Sequence, residues 1–157
     1  MRKILILIAL GVILAAVNLS IYRYEKILNR GREILLPLAP ADPRSLIQGD
    51  YMRLRFRLGD RIRRELVKSK LIRSQRRGKV QVTVDNQGVA RFQKLCTPKS
   101  PCESNATPLR YTLRHGQVIL GTDSFFFPEG EAEKYEEARY GLFRVGEDGE
   151  MLLTGLK

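Results

Sequence analysis

The chain has 157 residues, 43% of them hydrophobic and 29% charged, with a formal net charge of +11. That length allows one small domain plus an anchor, and that composition excludes a wholly disordered chain. Two cysteines and one histidine exclude a disulfide-dense scaffold and leave too few soft ligands for a structural zinc.

Met1-Arg2-Lys3 is a short basic start, and Ile4 to Leu19 then carries no charge. Residues 4–22 would span about 28 Å as a helix, close to a hydrocarbon core of ~30 Å, so this run is expected to lie in membrane lipid. It is read as an uncleaved anchor. A cleaved signal peptide and a buried core helix are the competing readings, the first weakened by a poor cleavage context at Asn18-Leu19-Ser20. Tyr22 and Tyr24 suit an interfacial belt, with Arg23 and Lys26 at headgroup level. The expected division is an anchor over residues 1–28 and a domain over 29–157. Residues 20–31 continue the helix as far as a C-cap at Gly31.

Glu33 to Leu38 is an apolar run cut by Pro37, at best an edge strand. Ala39 to Arg44 must be a loop, because residues before proline are pushed out of the helical region. From Tyr51 to Leu58 the alternation puts Met52, Leu54, Phe56 and Leu58 on one face and Tyr51, Arg53, Arg55 and Arg57 on the other. This predicts a strand. Asp60 then offers an N-cap to a basic amphipathic helix over Arg61–Arg77, which Gly78 ends. Further strands are predicted at Val80–Val84, Val89–Leu95, Leu109–Leu113, Gln117–Leu120, Leu142–Val145 and Met151–Leu153. Phe125-Phe126-Phe127 reads as a short buried run, and Glu131–Arg139 as a short acidic helix. The expected fold class is mainly β (α+β): an N-terminal transmembrane helix, then a small antiparallel β domain, barrel-like in one version, with one or two short helices.

The charge is bipolar. Residues 52–94 hold fourteen Lys and Arg against three acids, and residues 123–150 nine acids against three bases. The two segments either neutralise each other on folding or leave a basic face for an anionic surface. Arg53, Arg55 and Arg57 are the anion-binding candidates. Cys96 and Cys102 flank the short loop Thr97-Pro98-Lys99-Ser100-Pro101 and fit one disulfide in an oxidising compartment; two unrelated free thiols or a metal pair are the alternatives. The basic residues on both sides of the apolar run leave orientation open, and the cysteines favour an extracytoplasmic domain. The expected location is therefore the inner (cytoplasmic) membrane, single-pass, with the C-terminal domain outside the cytoplasm.

Three stretches carry a likeness: Asp42-Pro43-Arg44, the string Gly49-Asp50-Tyr51-Met52-Arg53-Leu54-Arg55-Phe56, and Phe126-Phe127-Pro128-Glu129-Gly130 followed by acids. Together they resemble the GDYXXLXY family of bacterial membrane-anchored proteins, with Phe56 where the family string ends in tyrosine. The motif residues are Asp42, Pro43, Arg44, Gly49, Asp50, Tyr51, Leu54, Phe56, Pro128, Glu129 and Gly130. The resemblance implies a single anchor and an extracytoplasmic domain working beside a polytopic membrane protein, without an assigned reaction. The residues themselves offer a structural account of the motif, in which Arg44 and Asp50 form a charge-assisted pair that pins loop to strand.

An enzyme is not expected. The Gly-Asp loop before a strand also resembles membrane-anchored signal peptidases, whose chemistry needs a serine nucleophile and a lysine base. Ser45 is the only serine near the motif, and Lys68 or Lys70 would have to approach through the fold. No catalytic residue, metal, cofactor or nucleic-acid partner is assigned. The expected function is an accessory or interaction subunit of a membrane complex. Binding of anionic lipid or envelope polymer through the basic face is the alternative.

Overall fold

The computed structural model describes residues 2–39, 51–103, 106–131 and 133–157. Helix α1 (Arg2–Arg30) is followed after one residue by β1 (Arg32–Pro37). Then come β2 (Tyr51–Arg53), α2 (Arg57–Lys68), β3 (Arg77–Val84), β4 (Ala90–Cys96), β5 (Thr107–Arg114), β6 (Gln117–Ile119) and β7 (Ser124–Phe126). A four-residue helix α3 (Glu133–Glu136) leads into β8 (Tyr140–Val145) and β9 (Met151–Leu156). The strands form three antiparallel sheets, ordered β1-β8-β9, β2-β7 and β4-β3-β5-β6, and none of them closes into a barrel among the described residues. The class is the expected one, an N-terminal apolar helix followed by antiparallel β structure. As expected, β1 is an edge strand, and its Pro37 stands opposite Tyr140 at the ladder's end.

One hydrophobic cluster joins all three sheets. Ile34 and Leu36 from β1 and Phe143 and Val145 from β8 meet Val80, Leu109 and Tyr111 of the four-stranded sheet. Helix α2 packs on β6, β4 and β1 and buries Leu58, Ile62 and Leu66. Gly59 lets that helix come close, because a Cβ there would lie 3.0 Å from the Val118 carbonyl oxygen. Phe56 meets Phe143 edge-on with centroids 5.3 Å apart.

The alternation from Met52 to Leu58 predicts burial correctly and the strand incorrectly. Met52, Leu54, Phe56 and Leu58 are all at most 6% exposed. The ladder nevertheless stops at Arg53, and the chain turns helical at Arg57, with Gly59 N–H donating to the Phe56 carbonyl at 2.9 Å. Two extended residues and the first helical turn point inward at the same parity, so the pattern does not distinguish them. Helix α2 consequently starts one turn before the expected Arg61, and Asp60 falls within its first turn instead of at the N-cap.

The helix also ends nine residues before Arg77. Lys70 sits in the left-handed region at φ 56°, its N–H donates to Val67 O at 3.0 Å, and Leu71 N–H donates to Leu66 O at 2.9 Å. This is a Schellman ending with lysine in the position where glycine is the usual signal, so the sequence conceals it. Gly78 does not end a helix. It stands opposite Tyr111 across the β3–β5 ladder, and a Cβ there would lie 2.6 Å from the tyrosine hydroxyl. The phenylalanine run is not buried throughout: Phe125 and Phe127 turn inward onto Tyr135, whereas Phe126 is 74% exposed. The strand's period of two places it on the other face. The acidic helix is shorter than Glu131–Arg139, covering only Glu133–Glu136.

Phe143→Ala should cost about 3–5 kcal/mol in a denaturant melt, the range for removing a fully buried aromatic ring. The Tyr111 hydroxyl is buried with no hydrogen-bond partner among the described residues, and burial raises its pKa. Tyr111→Phe should therefore leave the unfolding free energy in a denaturant melt unchanged or raise it, by about 1 kcal/mol at most.

An arginine-lined cleft at the end of the sheet far from the helix

Among the described residues, helix α1 meets the domain at one place. Ile27 is its buried side chain, 8% exposed, and a Cβ on Gly146 would lie 3.1 Å from it. Arg144 donates to the Gly31 carbonyl at 3.2 Å and pairs with Glu33 at 3.1 Å, which ties β8 to the junction. Strand β8 thus runs toward α1 and β1 runs away from it, from Arg32 opposite Val145 to Pro37 opposite Tyr140. Five residue steps place the far end of β1 about 17 Å from its start.

A cleft of about 940 Å³ opens at that far end. Pro37, Leu38 and Ala39 form one wall, Met52 to Arg55 with Arg57 a second, and Tyr135 to Tyr140 a third; Val89, Ala90 and Arg91 complete it. Backbone bonds hold the walls together: Leu38 N–H donates to Arg139 O at 2.9 Å and Ala39 N–H to Arg55 O at 2.8 Å. The apolar lining is continuous with the core, since Met52, Leu54 and Ala90 also belong to the buried cluster.

Five arginines, Arg53, Arg55, Arg57, Arg91 and Arg139, face two acids, Glu136 and Glu137, in this lining. Alternation groups the first three, and the structure brings all three to the cleft. Arg55 pairs with Asp60 at 3.2 Å, and Arg57 donates from Nε to the Leu38 carbonyl at 3.2 Å. Arg53 and Arg139 have no ion pair among the described residues. Sequence reasoning missed Arg91 and Arg139, which lie 34 and 82 residues beyond Arg57. The one local signal was that each is a base beside a turn.

Asp85 positions Arg91. Its carboxylate accepts the Gln87 and Val89 amides at 3.0 and 2.9 Å and pairs with Arg91 at 3.3 Å. The Val89 amide is the main reason its pKa lies below the ordinary 3.8; desolvation opposes it as the next largest effect, and the Gln87 amide and Arg91 add to the lowering.

Asp42, Pro43, Arg44, Gly49 and Asp50 lie outside the described residues, and so does the expected Arg44–Asp50 pair. Tyr51 is half-buried and Leu54 and Phe56 are core. Tyr51 stands opposite Phe126 in the β2–β7 ladder with ring centroids 5.7 Å apart, so two of the three motif pieces are neighbours in space. Pro128, Glu129 and Gly130 make the turn that follows, closed by Glu131 N–H to Pro128 O at 3.1 Å, with Gly130 at φ 82°. Cys96 and Cys102 are bonded to each other across the end of β4. Lys68 and Lys70 do not line the cleft: Lys68 is eleven residues along α2 from Arg57, about 16 Å away. Among the described residues, no group of three or more His, Cys, Asp or Glu side chains could hold a metal ion.

Residues 6–30 are long and apolar enough to cross a membrane, and none of that helix's most apolar window is buried. Helix, sheets and cleft define a β domain carried on a candidate membrane helix, with an arginine-lined cleft at one end. The family model described as GDYXXLXY protein matches residues 13–156, and the chain belongs to the GDYXXLXY family. No curated protein and no solved structure matches.

Because the pKa of Asp85 is depressed, its contribution to stability is full above the unfolded value near 3.8 and is lost as pH falls through the lower folded value. Asp85→Asn should flatten that part of the acid limb of stability while leaving the melt near neutral pH lower than wild type, as read by thermal melts across the acid range.

Proposed function

We propose that this protein is a non-catalytic interaction subunit, held by α1 in the cytoplasmic membrane with its domain on the extracytoplasmic side. On this reading it docks an acidic segment of a polytopic membrane partner in the arginine-lined cleft. Support for the anchor comes from the length and hydropathy of α1. Support for the oxidising side comes from the Cys96–Cys102 bond, because disulfides persist outside the reducing cytosol.

The observation that carries the docking reading is the cleft itself, five arginines against two glutamates over an apolar wall. Guanidinium groups bind carboxylates in a planar, two-pronged way, and an apolar floor favours a polypeptide over a free inorganic anion. The place of the cleft favours a partner over the anchoring bilayer, since β1 carries it away from α1. A hydrolase reading has less support, because the lysines it needs are at the other end of α2 from the cleft.

Crosslinking in intact membranes followed by affinity purification should recover a defined integral membrane protein with the full chain. Arg53→Glu with Arg139→Glu should abolish that recovery, while Arg114→Glu, on β5 outside the cleft, should not. Equal recovery by wild type and the cleft variant would overturn the reading.

A further inference from the structure

Outside α1, the large hydrophobic side chains exposed among the described residues are Val67 at 51% and Phe126 at 74%. A lone exposed apolar side chain is ordinary on a protein surface. Phe126 is set apart by its neighbours. It stands opposite Tyr51 in the β2–β7 ladder, ring centroids 5.7 Å apart, and on the same face Arg53 stands opposite Ser124. The other face of this short ladder is committed to the interior: Met52 is core, and Phe125 packs on Tyr135 with centroids 5.0 Å apart. Phe127 also meets Tyr135, at 5.6 Å. The rings before and after Phe126 are thus locked inward, and the strand cannot turn Phe126 in without turning both of them out.

We infer that the Tyr51–Phe126 pair is an apolar subsite at the rim of the arginine-lined cleft, and that the docked segment places a large apolar side chain on it. This rests on the docking reading above and adds a sequence requirement to it. Arg53 lines the cleft and lies two residues from Tyr51, about 7 Å along the same face of β2. An extended polypeptide repeats its side chains on one face at that same spacing. The occupant is one extended segment of the membrane partner. It carries an acid at Arg53 and, two positions away, a phenylalanine, leucine or similar side chain on the aromatic pair.

Two observations select this occupant. The patch is continuous with the cleft through Arg53, so one segment covers both. The patch is also mixed, two rings beside a guanidinium, and those are the residue types that carry most of the binding energy where polypeptides meet. Backbone pairing and the Phe125 and Phe127 rings fix the pair in place, so it is ordered before a partner arrives and little entropy is lost on docking. The arginines attract any acidic chain. The ring pair discriminates among acidic chains.

The test uses the full chain in phosphatidylcholine nanodiscs, titrated against two short fluorescent peptides with anisotropy as the readout. Both peptides carry glutamates at alternate positions. One has phenylalanine two positions beyond the last glutamate, and the other has serine there. Wild type should bind the phenylalanine peptide about tenfold more tightly, the effect of covering one aromatic side chain. Phe126→Ser should bind the two peptides alike, and Phe126→Trp should keep the preference. Thermal melts should show both variants folded, since the side chain is exposed. Arg53→Glu with Arg139→Glu should bind neither peptide. Equal binding of the two peptides by wild type, or a preference that survives Phe126→Ser, would overturn the subsite and leave the cleft reading standing. Failure of wild type to bind either peptide would overturn the cleft reading and the subsite with it. A crosslinked dimer of the chain that forms without peptide and is lost in Phe126→Ser would also overturn the subsite, because a second copy would then cover the pair.

Discussion

Phe56 packs edge-on against Phe143, over the bare backbone of Gly141, where a Cβ would lie 2.8 Å from the Phe56 ring. Most of the architecture follows from that close approach. It sets the point where the chain leaves the extended course of Met52 and Leu54 and enters α2. It ties α2 to the β1-β8-β9 sheet, and the isolated bridge between Leu38 and Phe56 brings the end of β1 to the same place. With the anchor side of the sheet held at Ile27 and Arg144, the cleft must open at the opposite end.

Charge is organised by separation. Among the described residues no ion pair joins the basic stretch 52–94 to the acidic stretch 123–150, although Glu136 and Glu137 line the arginine cleft, and the ion pairs are mostly local and exposed. Exposed pairs contribute little to stability, with typical values of about 0–1 kcal/mol. The fold is therefore held by its apolar cluster and ladders. The charges remain available for a partner outside the chain, which is the physical basis of the proposed docking.

Much of the fold was legible where one residue pattern has one structural meaning. The edge character of β1 followed from Pro37, and the two-residue connection at His115-Gly116 is a hairpin whose φ values of 48° and 75° suit a type I′ turn. The inward parity of Met52, Leu54, Phe56 and Leu58 was readable because burial depends on spacing. Reading became unreliable where spacing has two meanings. Strand and first helical turn share the parity at Leu58, and a lysine at φ 56° ended α2 without a glycine to mark it. The candidate site was half legible: three arginines on one short segment stand out in any alternation, but Arg91 joins them through the bridge of Leu35 to Val89, and Arg139 through the bonds of Leu38 to Arg139 and Ala39 to Arg55.

The sequence by itself determined the long apolar helix, the antiparallel β character, the family and the identity of the core residues. Each of these depends on local composition or on a period of two or 3.6. Only the tertiary structure decided that Tyr51 lies on Phe126, that five arginines share one cleft, and that the basic and acidic halves do not neutralise each other. Those facts depend on which distant segments become neighbours. Register and chain direction set that, and no local period encodes either.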